Sequence, residues 1–192
     1  MKGSHSSGWS LQSRKWQGLE STTWLPWLSG TRCPRATGCG TAQSGAGWVG
    51  FNFAAAFKRP VKVINDAAMQ ALGSYKRGKM LFLGLGTGLG SAMIVDGIVV
   101  PMELAHLPYK KATYEDYVGI RGLKKHGKKR WRRHVVDVVA HPVAALEPDG
   151  VVLGGGNVKK LKKLPPGCRA GNNANAFIGG FRLWANAGKA KG

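Results

Sequence analysis

The stretch 61–97 constrains the fold of this chain more than any other. A β-branched strand leads into Asn65 and Asp66, which begin a predicted helix, and two further strands follow on either side of the glycine turn 86–90. Because a strand–turn–strand is a hairpin, these two strands are antiparallel. Strands that alternate with helices and end in glycine turns predict an α/β domain with a mixed sheet, whose ligands bind at the carboxyl ends of its strands.

The second half of the chain continues this alternation. A valine-rich stripe after the basic run 121–134 predicts a helix that Pro142 kinks or ends. A further strand at 149–153 runs into Gly-Gly-Gly-Asn at 154–157, and a basic helix is predicted over 158–164.

The charge balance points to an anionic partner. The chain has 29 Lys and Arg but only 9 Asp and Glu, a formal charge of +20, which favours nucleotides, polyphosphate or nucleic acid. The basic run 121–134 around Trp131 is either a nucleic-acid-binding stripe or a solvated helix face. Three irregularly spaced cysteines, and no apolar run or leader of the membrane or secretory type, favour free thiols and a cytoplasmic location.

The first 46 residues differ in texture from the rest. Tryptophan recurs there without helical or strand periodicity, and Glu20 is the only acidic residue before Asp66. We interpret this segment as irregular, either disordered or a non-native, out-of-frame stretch joined to a domain. The predicted organisation is an irregular segment at 1–46, a large α/β domain at 47–184 and a polar tail at 185–192.

Two pairs of polar residues have the chemistry of phosphoryl transfer to a sugar. Asp66, where a strand meets a helix, is either an N-cap or a general base for an attacking hydroxyl, which Asn65 would help to hold. Glu103 and His106 suit sugar hydroxyls better than a metal ion, because no cysteine cluster follows them.

Two glycine turns are candidate ligand contacts. The turn 86–90 precedes a strand and not a helix, which excludes Walker A and Rossmann loops. Its amides and the Thr87 hydroxyl either face phosphate oxygens or only close a tight turn. The turn 154–157 either lets a flat ligand such as adenosine approach the backbone or only joins a strand to a helix.

In this order and spacing the motifs resemble those of the ROK-family sugar kinases, most closely the glucokinases and polyphosphate glucokinases of the actin-like ATPase superfamily. They are Val63-Ile-Asn-Asp66, Gly84-Leu-Gly-Thr-Gly-Leu-Gly90, Glu103-Leu-Ala-His106 and Val151-Val-Leu-Gly-Gly-Gly-Asn157. The resemblance implies a mixed-sheet, actin-like (ribonuclease H-like) ATPase fold. It also implies phosphoryl transfer from ATP or polyphosphate, with Mg²⁺, to the 6-hydroxyl of glucose or a similar hexose, and leaves a homodimer as one option.

The resemblance also implies a role for each candidate residue. Asp66 is the catalytic base, and the residues that hold the sugar are Asn65, Glu103 and His106. The residues that face the donor's phosphates are Gly86, Thr87, Gly88 and Gly90. Those that line the nucleotide site are Gly154, Gly155, Gly156 and Asn157.

The chain departs from the family's pattern at three points. The family's cysteine-rich zinc motif is absent, as it can be in the polyphosphate-using branch. Ala105 stands where the sugar-contact motif has glycine, and no Asp-x-Gly-x-Thr phosphate loop precedes Asp66. The expectation is a large domain whose small N-terminal domain is missing or replaced, with weak or no activity, because such kinases react in a cleft between two domains. The alternative is a non-catalytic basic domain that binds polyanions or nucleic acid without sequence preference.

Overall fold

The computed structural model describes residues 51–185 and the two-residue strand Thr23–Trp24. The strands are β1 (Thr23–Trp24), β2 (Val61–Lys62), β3 (Lys79–Leu85), β4 (Leu89–Val95), β5 (Ile98–Pro101), β6 (Pro108–Tyr109), β7 (Ala112–Thr113), β8 (Gly150–Gly154) and β9 (Cys168–Ala170). The helices are α1 (Phe53–Phe57), α2 (Asp66–Ser74), α3 (Tyr114–Val118), α4 (Ile120–Leu146) and α5 (Asn175–Ala185), with a 3-10 turn at Val158–Lys160. Apart from β1, the predicted irregular segment lies outside the described residues, as does the predicted tail beyond Ala185.

A five-stranded sheet in the order β5–β4–β3–β8–β9 carries the candidate motifs. β3 pairs antiparallel with β4 and parallel with β8, so the predicted mixed sheet is confirmed. The register aligns Gly84 of β3 with Gly90 on one side and with Gly154 on the other. Both glycine turns therefore lie at the same edge of the sheet, where β3 and β8 end.

Helix α2 covers one face of this sheet and begins where the sequence predicts. The Asn65 side chain accepts the backbone N–H of Ala67 at 2.8 Å, so Asn65 is the N-cap and Asp66 is the first helical residue. Small buried side chains let the helix lie close to the sheet. The cluster between them consists of Ala67, Ala68, Ala71, Leu72, Met80, Phe82, Ala92, Ile94 and Val152.

Helices α3 and α4 pack on the opposite face of the sheet. Every second residue of β3 points to that face. Leu81, Leu83 and Leu85 pack there in one cluster with Trp131, which is fully buried. The indole Nε1 of Trp131 donates to the carbonyl of Val118 at 2.8 Å, so the ring joins α4 to α3 and also satisfies its polar atom.

Two predictions about the later helices are wrong. Helix α4 continues past Pro142 to Leu146 and is interrupted instead at Gly127, whose φ of 69° suits a residue without a Cβ. Pro142 is buried, so packing offsets the hydrogen bond that proline removes. The predicted helix 158–164 is only the 3-10 turn, because the Lys160 carbonyl accepts the Nε–H of Arg132 at 2.8 Å and the backbone is extended from Leu161.

Candidate functional site

The two glycine turns are joined at the carboxyl ends of β3 and β8. The backbone N–H of Asn157 donates to the Leu85 carbonyl at 3.0 Å, and its side-chain Nδ2 donates to the Gly86 carbonyl at 2.8 Å. Gly155 has a φ of 85°, and a Cβ built there would lie 2.5 Å from the Leu85 oxygen. The turn 154–157 thus touches the backbone at Leu85, where the first turn begins, and the Asn157 side chain joins it to Gly86.

The tip of the first turn reaches the junction of α3 and α4. The Thr87 carbonyl accepts the N–H of Ile120 at 3.0 Å, and Thr87 is exposed. A Cβ on Gly88 would lie 2.5 Å from Glu115 Oε2, whereas one on Gly86 would meet nothing within 4 Å. The α3–α4 junction therefore crowds the turn at Gly88 and leaves it open at Gly86.

The loop 103–106 is held between β4 and α3. The backbone N–H of Leu104 donates to Ser91 Oγ at 3.0 Å, and the carbonyl of Ala105 accepts the N–H of Glu115 at 3.0 Å. The Ala105 methyl is buried, so the fold accommodates this departure from glycine. The loop's glutamate and histidine side chains are exposed and remain available to a ligand.

Asp66 is followed in the chain by Ala67, which packs against the glycine hairpin. Its Oδ1 accepts the N–H of Ala67 at 2.8 Å, and the Ala67 methyl lies 2.9 Å from the position of a Cβ on Gly90. Among the hydrogen bonds and ion pairs of residues 51–185, none joins the Asp66 carboxylate to Glu103 or His106. The structure thus places Ala67, the residue after Asp66, against the hairpin, and the convergence of Asp66 with Glu103 and His106 on one sugar stays a prediction.

Comparison with known proteins bears on this arrangement. No protein-family model matches the chain. Over 134 residues the chain is 30% identical to the polyphosphate glucokinase of Mycobacterium leprae, a match that covers 62% of this chain and 41% of that protein. The inorganic polyphosphate/ATP-glucomannokinase of Arthrobacter sp. strain KM has a similar structure, with a TM-score of 0.63 at 25% identity over 78% of this chain and 67% of that one.

The resemblance to the ROK-family sugar kinases is confirmed. The ROK family glucokinase of Streptomyces griseus, solved with glucose and AMPPNP, has the same fold, with a TM-score of 0.58 at 14% identity over 71% of this chain and 72% of that one. The predicted actin-like ATPase fold is confirmed with it. The chain spans less than half the length of the curated relative that it matches. Within the described part of the chain, no helix has both the length and the apolar character needed to cross a bilayer.

Glu115 is a residue beside the first glycine turn that belongs to none of the sequence motifs. Its backbone holds Ala105, its carboxylate lies over Gly88, and it pairs with Arg121 at 3.3 Å. Glu115 thus links the loop that carries Glu103 to the glycine hairpin. The sequence signal that could have found it is the scarcity of acidic residues, since only nine occur in the chain.

Two open depressions lie away from the glycine turns. One, of about 670 Å³, is at the opposite edge of the sheet and is lined by Gly78, Asp149 and Arg169 among others. The other, of about 610 Å³, lies on α4 beside Lys110 and Arg133. The first contains only Val151, the opening residue of one ROK-type motif, and the second contains no residue of these motifs. Size alone would therefore misplace the candidate site, and the polar contacts at the glycine turns locate it instead.

The α4 depression borders a cluster of tyrosine and histidine side chains. The Tyr109 hydroxyl donates to Asp137 Oδ2 at 2.9 Å and lies 3.1 Å from His134 Nδ1. Burial, with the Asp137 hydrogen bond second, raises the pKa of Tyr109 above its usual range. Burial, followed by the nearby charge of Lys110, lowers the pKa of His134 below its ordinary value of 6.5. The neutral imidazole is therefore the form that the fold favours.

Proposed function

We propose that the protein is a sugar-kinase-like phosphotransferase, with its donor at the two glycine turns and its sugar between the start of α2 and the loop 103–106. The observation that carries this proposal is a pair of hydrogen bonds from Asn157, one to the Leu85 carbonyl and one to the Gly86 carbonyl. They hold the two glycine turns together where β3 and β8 end. Ligands of open α/β sheets bind at such an edge. The similarity to polyphosphate glucokinase supports the same reaction class.

The donor side would use the two turns differently. The hairpin residues Gly86, Thr87, Gly88 and Gly90 would face the phosphates, because glycine lets the backbone amides approach oxygen atoms closely. The turn formed by Gly154, Gly155, Gly156 and Asn157 would lie against the nucleotide when ATP is the donor. In that turn Gly156 is exposed, with nothing within 4 Å of an added Cβ, so its backbone is open to a ligand.

The acceptor side would use Asp66 as the base. Its Oδ1 is held by the Ala67 amide, which leaves Oδ2 to take the proton from the 6-hydroxyl of a hexose. The hydroxyl oxygen then attacks the terminal phosphorus of the donor, and the bond from that phosphorus to the rest of the donor breaks. Since the Asn65 oxygen caps α2, its Nδ2 is the group that remains for the sugar.

The sugar ring would be held by side chains on the loop and on α3. Glu103 and His106 are exposed, and a carboxylate and an imidazole together can both accept from and donate to hydroxyls. We add Glu115, because its carboxylate lies between that loop and the hairpin. Its carboxylate also pairs with Arg121, an exposed side chain that pairs with Asp116 as well.

Magnesium would arrive with the donor. Within residues 51–185 no group of three or more His, Cys, Asp or Glu side chains is arranged to hold a metal ion. The ion would keep several waters and bind mainly through the donor's phosphates, where it would offset their charge.

A coupled assay of glucose 6-phosphate formation, with ATP and with polyphosphate, tests the proposal on the full chain. Asp66→Asn should lower the rate by at least about a hundredfold, because the amide cannot take the proton. The matched control is Asp96→Asn, an exposed aspartate in the turn between β4 and β5. Equal rates for the two variants would refute the assignment of the base. The expectation that turnover is weak stays a prediction, which the same assay measures.

One observation favours a second candidate function, the binding of a phosphate polymer along α4. Of the eight basic residues in 121–134, Arg121 is the one that forms an ion pair within the described part of the chain. Trp131 is buried, so it offers no surface for base stacking, and binding would depend on charge alone. A surface that binds by charge would accept polyphosphate as the phosphoryl donor, or nucleic acid without sequence preference.

Salt dependence tests this second candidate. The logarithm of the affinity for polyphosphate or single-stranded DNA should fall linearly with the logarithm of the NaCl concentration, and glucose should not change it. An affinity that is insensitive to salt would exclude the charge-driven mode.

A further inference from the structure

Lys160 lies just after the glycine turn 154–157. The side chain of Asn157 connects it to the other glycine turn, 86–90. Its Nζ donates to Asn157 Oδ1 at 2.6 Å, and Asn157 Nδ2 donates to the Gly86 carbonyl at 2.8 Å. An ammonium, an amide and a backbone carbonyl thus form one hydrogen-bonded series from Lys160 to the hairpin.

This series determines how the Asn157 amide is oriented. Only 7% of Asn157 is exposed, so water cannot easily replace a lost partner. A reversed amide would point its NH₂ group at the ammonium and its oxygen at the Gly86 carbonyl, and both contacts would be repulsive. Since hydrogen bonds from a charged donor are stronger than neutral ones, Lys160 is the partner that holds the orientation.

No carboxylate among residues 51–185 pairs with the charge of Lys160. Both ion pairs formed within residues 51–185 belong to Arg121, and the Asn157 contact uses one of the three N–H donors of the ammonium. Its backbone is also held in place, because the Lys160 carbonyl accepts the Nε–H of Arg132 at 2.8 Å. A half-buried positive charge with free donors is therefore held beside the glycine turns.

We propose that Lys160 is a positioning residue for the anionic phosphoryl donor. It orients Asn157, which holds the hairpin at Gly86, and its positive charge favours a phosphate chain at the joined turns. This inference rests on the proposed function, because it takes the two turns as the donor site.

Calorimetric titration of the full chain with ATP and with inorganic tripolyphosphate, at two NaCl concentrations, tests this role. Lys160→Met should weaken the binding of both by about tenfold, the size expected for one charge-assisted contact. It should also reduce the salt dependence of binding, because one cation fewer meets the phosphates. The adjacent Lys159 is exposed, so Lys159→Met is the matched control and should change the affinity less than about twofold.

Two more variants separate charge from hydrogen bonding. Lys160→Arg keeps the charge and should retain most of the affinity. Lys160→Gln can still donate to Asn157 but lacks the charge, so it should lose donor affinity even if Lys160→Met does not fold. Glucose binding, followed as a shift in melting temperature, should stay unchanged in each folded variant.

The outcomes distinguish this inference from the proposed function. A wild-type chain that binds neither ATP nor tripolyphosphate overturns the donor site itself. A wild-type chain that binds them, with Lys160→Met and Lys160→Gln no weaker than Lys159→Met, overturns only the role of Lys160. An equal loss of donor and glucose affinity also overturns it, since that would show a general structural effect.

Discussion

The carboxyl edge of the sheet and the surface of α4 both present groups suited to phosphate, but they are held in different ways. At the sheet edge, Leu85, Gly86 and Asn157 are joined by hydrogen bonds of 2.8 to 3.0 Å in which the backbone takes part. On α4 the buried residue Trp131 is fixed, while most basic side chains around it have no carboxylate partner among residues 51–185. The edge can therefore support directional chemistry, whereas the helix surface offers charge density.

This difference has a consequence for mutagenesis. Substitutions at the edge should change the free energy of unfolding and ligand geometry together, because the same backbone contacts serve both. On α4 the two effects should separate, since stability depends on the buried stripe and polyanion binding on the exposed charges.

Replacing the buried anchor of α4 should have the largest effect. Trp131→Ala removes a fully buried ring and its hydrogen bond to Val118, and should lower the free energy of unfolding by about 4 kcal/mol. Arg130, the exposed neighbour of Trp131, gives the control. Arg130→Ala should change the free energy of unfolding by less than about 0.5 kcal/mol. Urea denaturation measures the stability of both variants. If Trp131→Ala and Arg130→Ala lose similar stability, the stability of α4 does not depend on its buried side chains alone.

A pair of adjacent glycines tests the sheet edge. Gly155→Ala puts a methyl 2.5 Å from the Leu85 oxygen at a positive φ and should lower the free energy of unfolding by about 3 kcal/mol. At Gly156 an added Cβ meets nothing within 4 Å, so Gly156→Ala should stay within about 0.5 kcal/mol of wild type. If chemical denaturation finds both variants equally stable, the Gly155 backbone does not lie in close contact with Leu85.

The smallest effect concerns pH and the region where α4 meets β6. Because the pKa of His134 is lowered in the fold, the unfolded chain binds more protons below pH 6.5, and stability should fall as the pH drops from 6.5 towards 5. His134→Gln removes this proton uptake and should flatten the profile, while His106→Gln, at an exposed site, should not. Melting temperatures measured between pH 6.5 and 5 check the direction of this change. A melting temperature that rises as the pH falls would refute the prediction.

Sequence reasoning succeeded where a local pattern determines the structure. Asn65 predicts the start of α2 because a short polar side chain can cap a helix from its own segment. The turn 86–90 between two apolar runs predicts a hairpin, and hence a mixed sheet, for the same local reason.

It failed where a distant partner changes the local preference. Pro142 does not end α4 because the core packs around it, and the lysine-rich segment after Asn157 does not continue as a helix because Arg132 takes the Lys160 carbonyl. Glu115 and Lys160 belong to no motif, and only the packing of α3 and the 3-10 turn against the glycine turns brings them to the site.

The amino-acid sequence by itself determined the strand and helix order, the glycine turns and the ROK-type resemblance, because these depend on residue types at short spacing. Only the tertiary structure decided that the turns 86–90 and 154–157 touch, since sheet register places residues about 70 positions apart side by side. It likewise decided that Trp131 is a core residue within a basic run, because burial depends on which face of α4 meets the sheet.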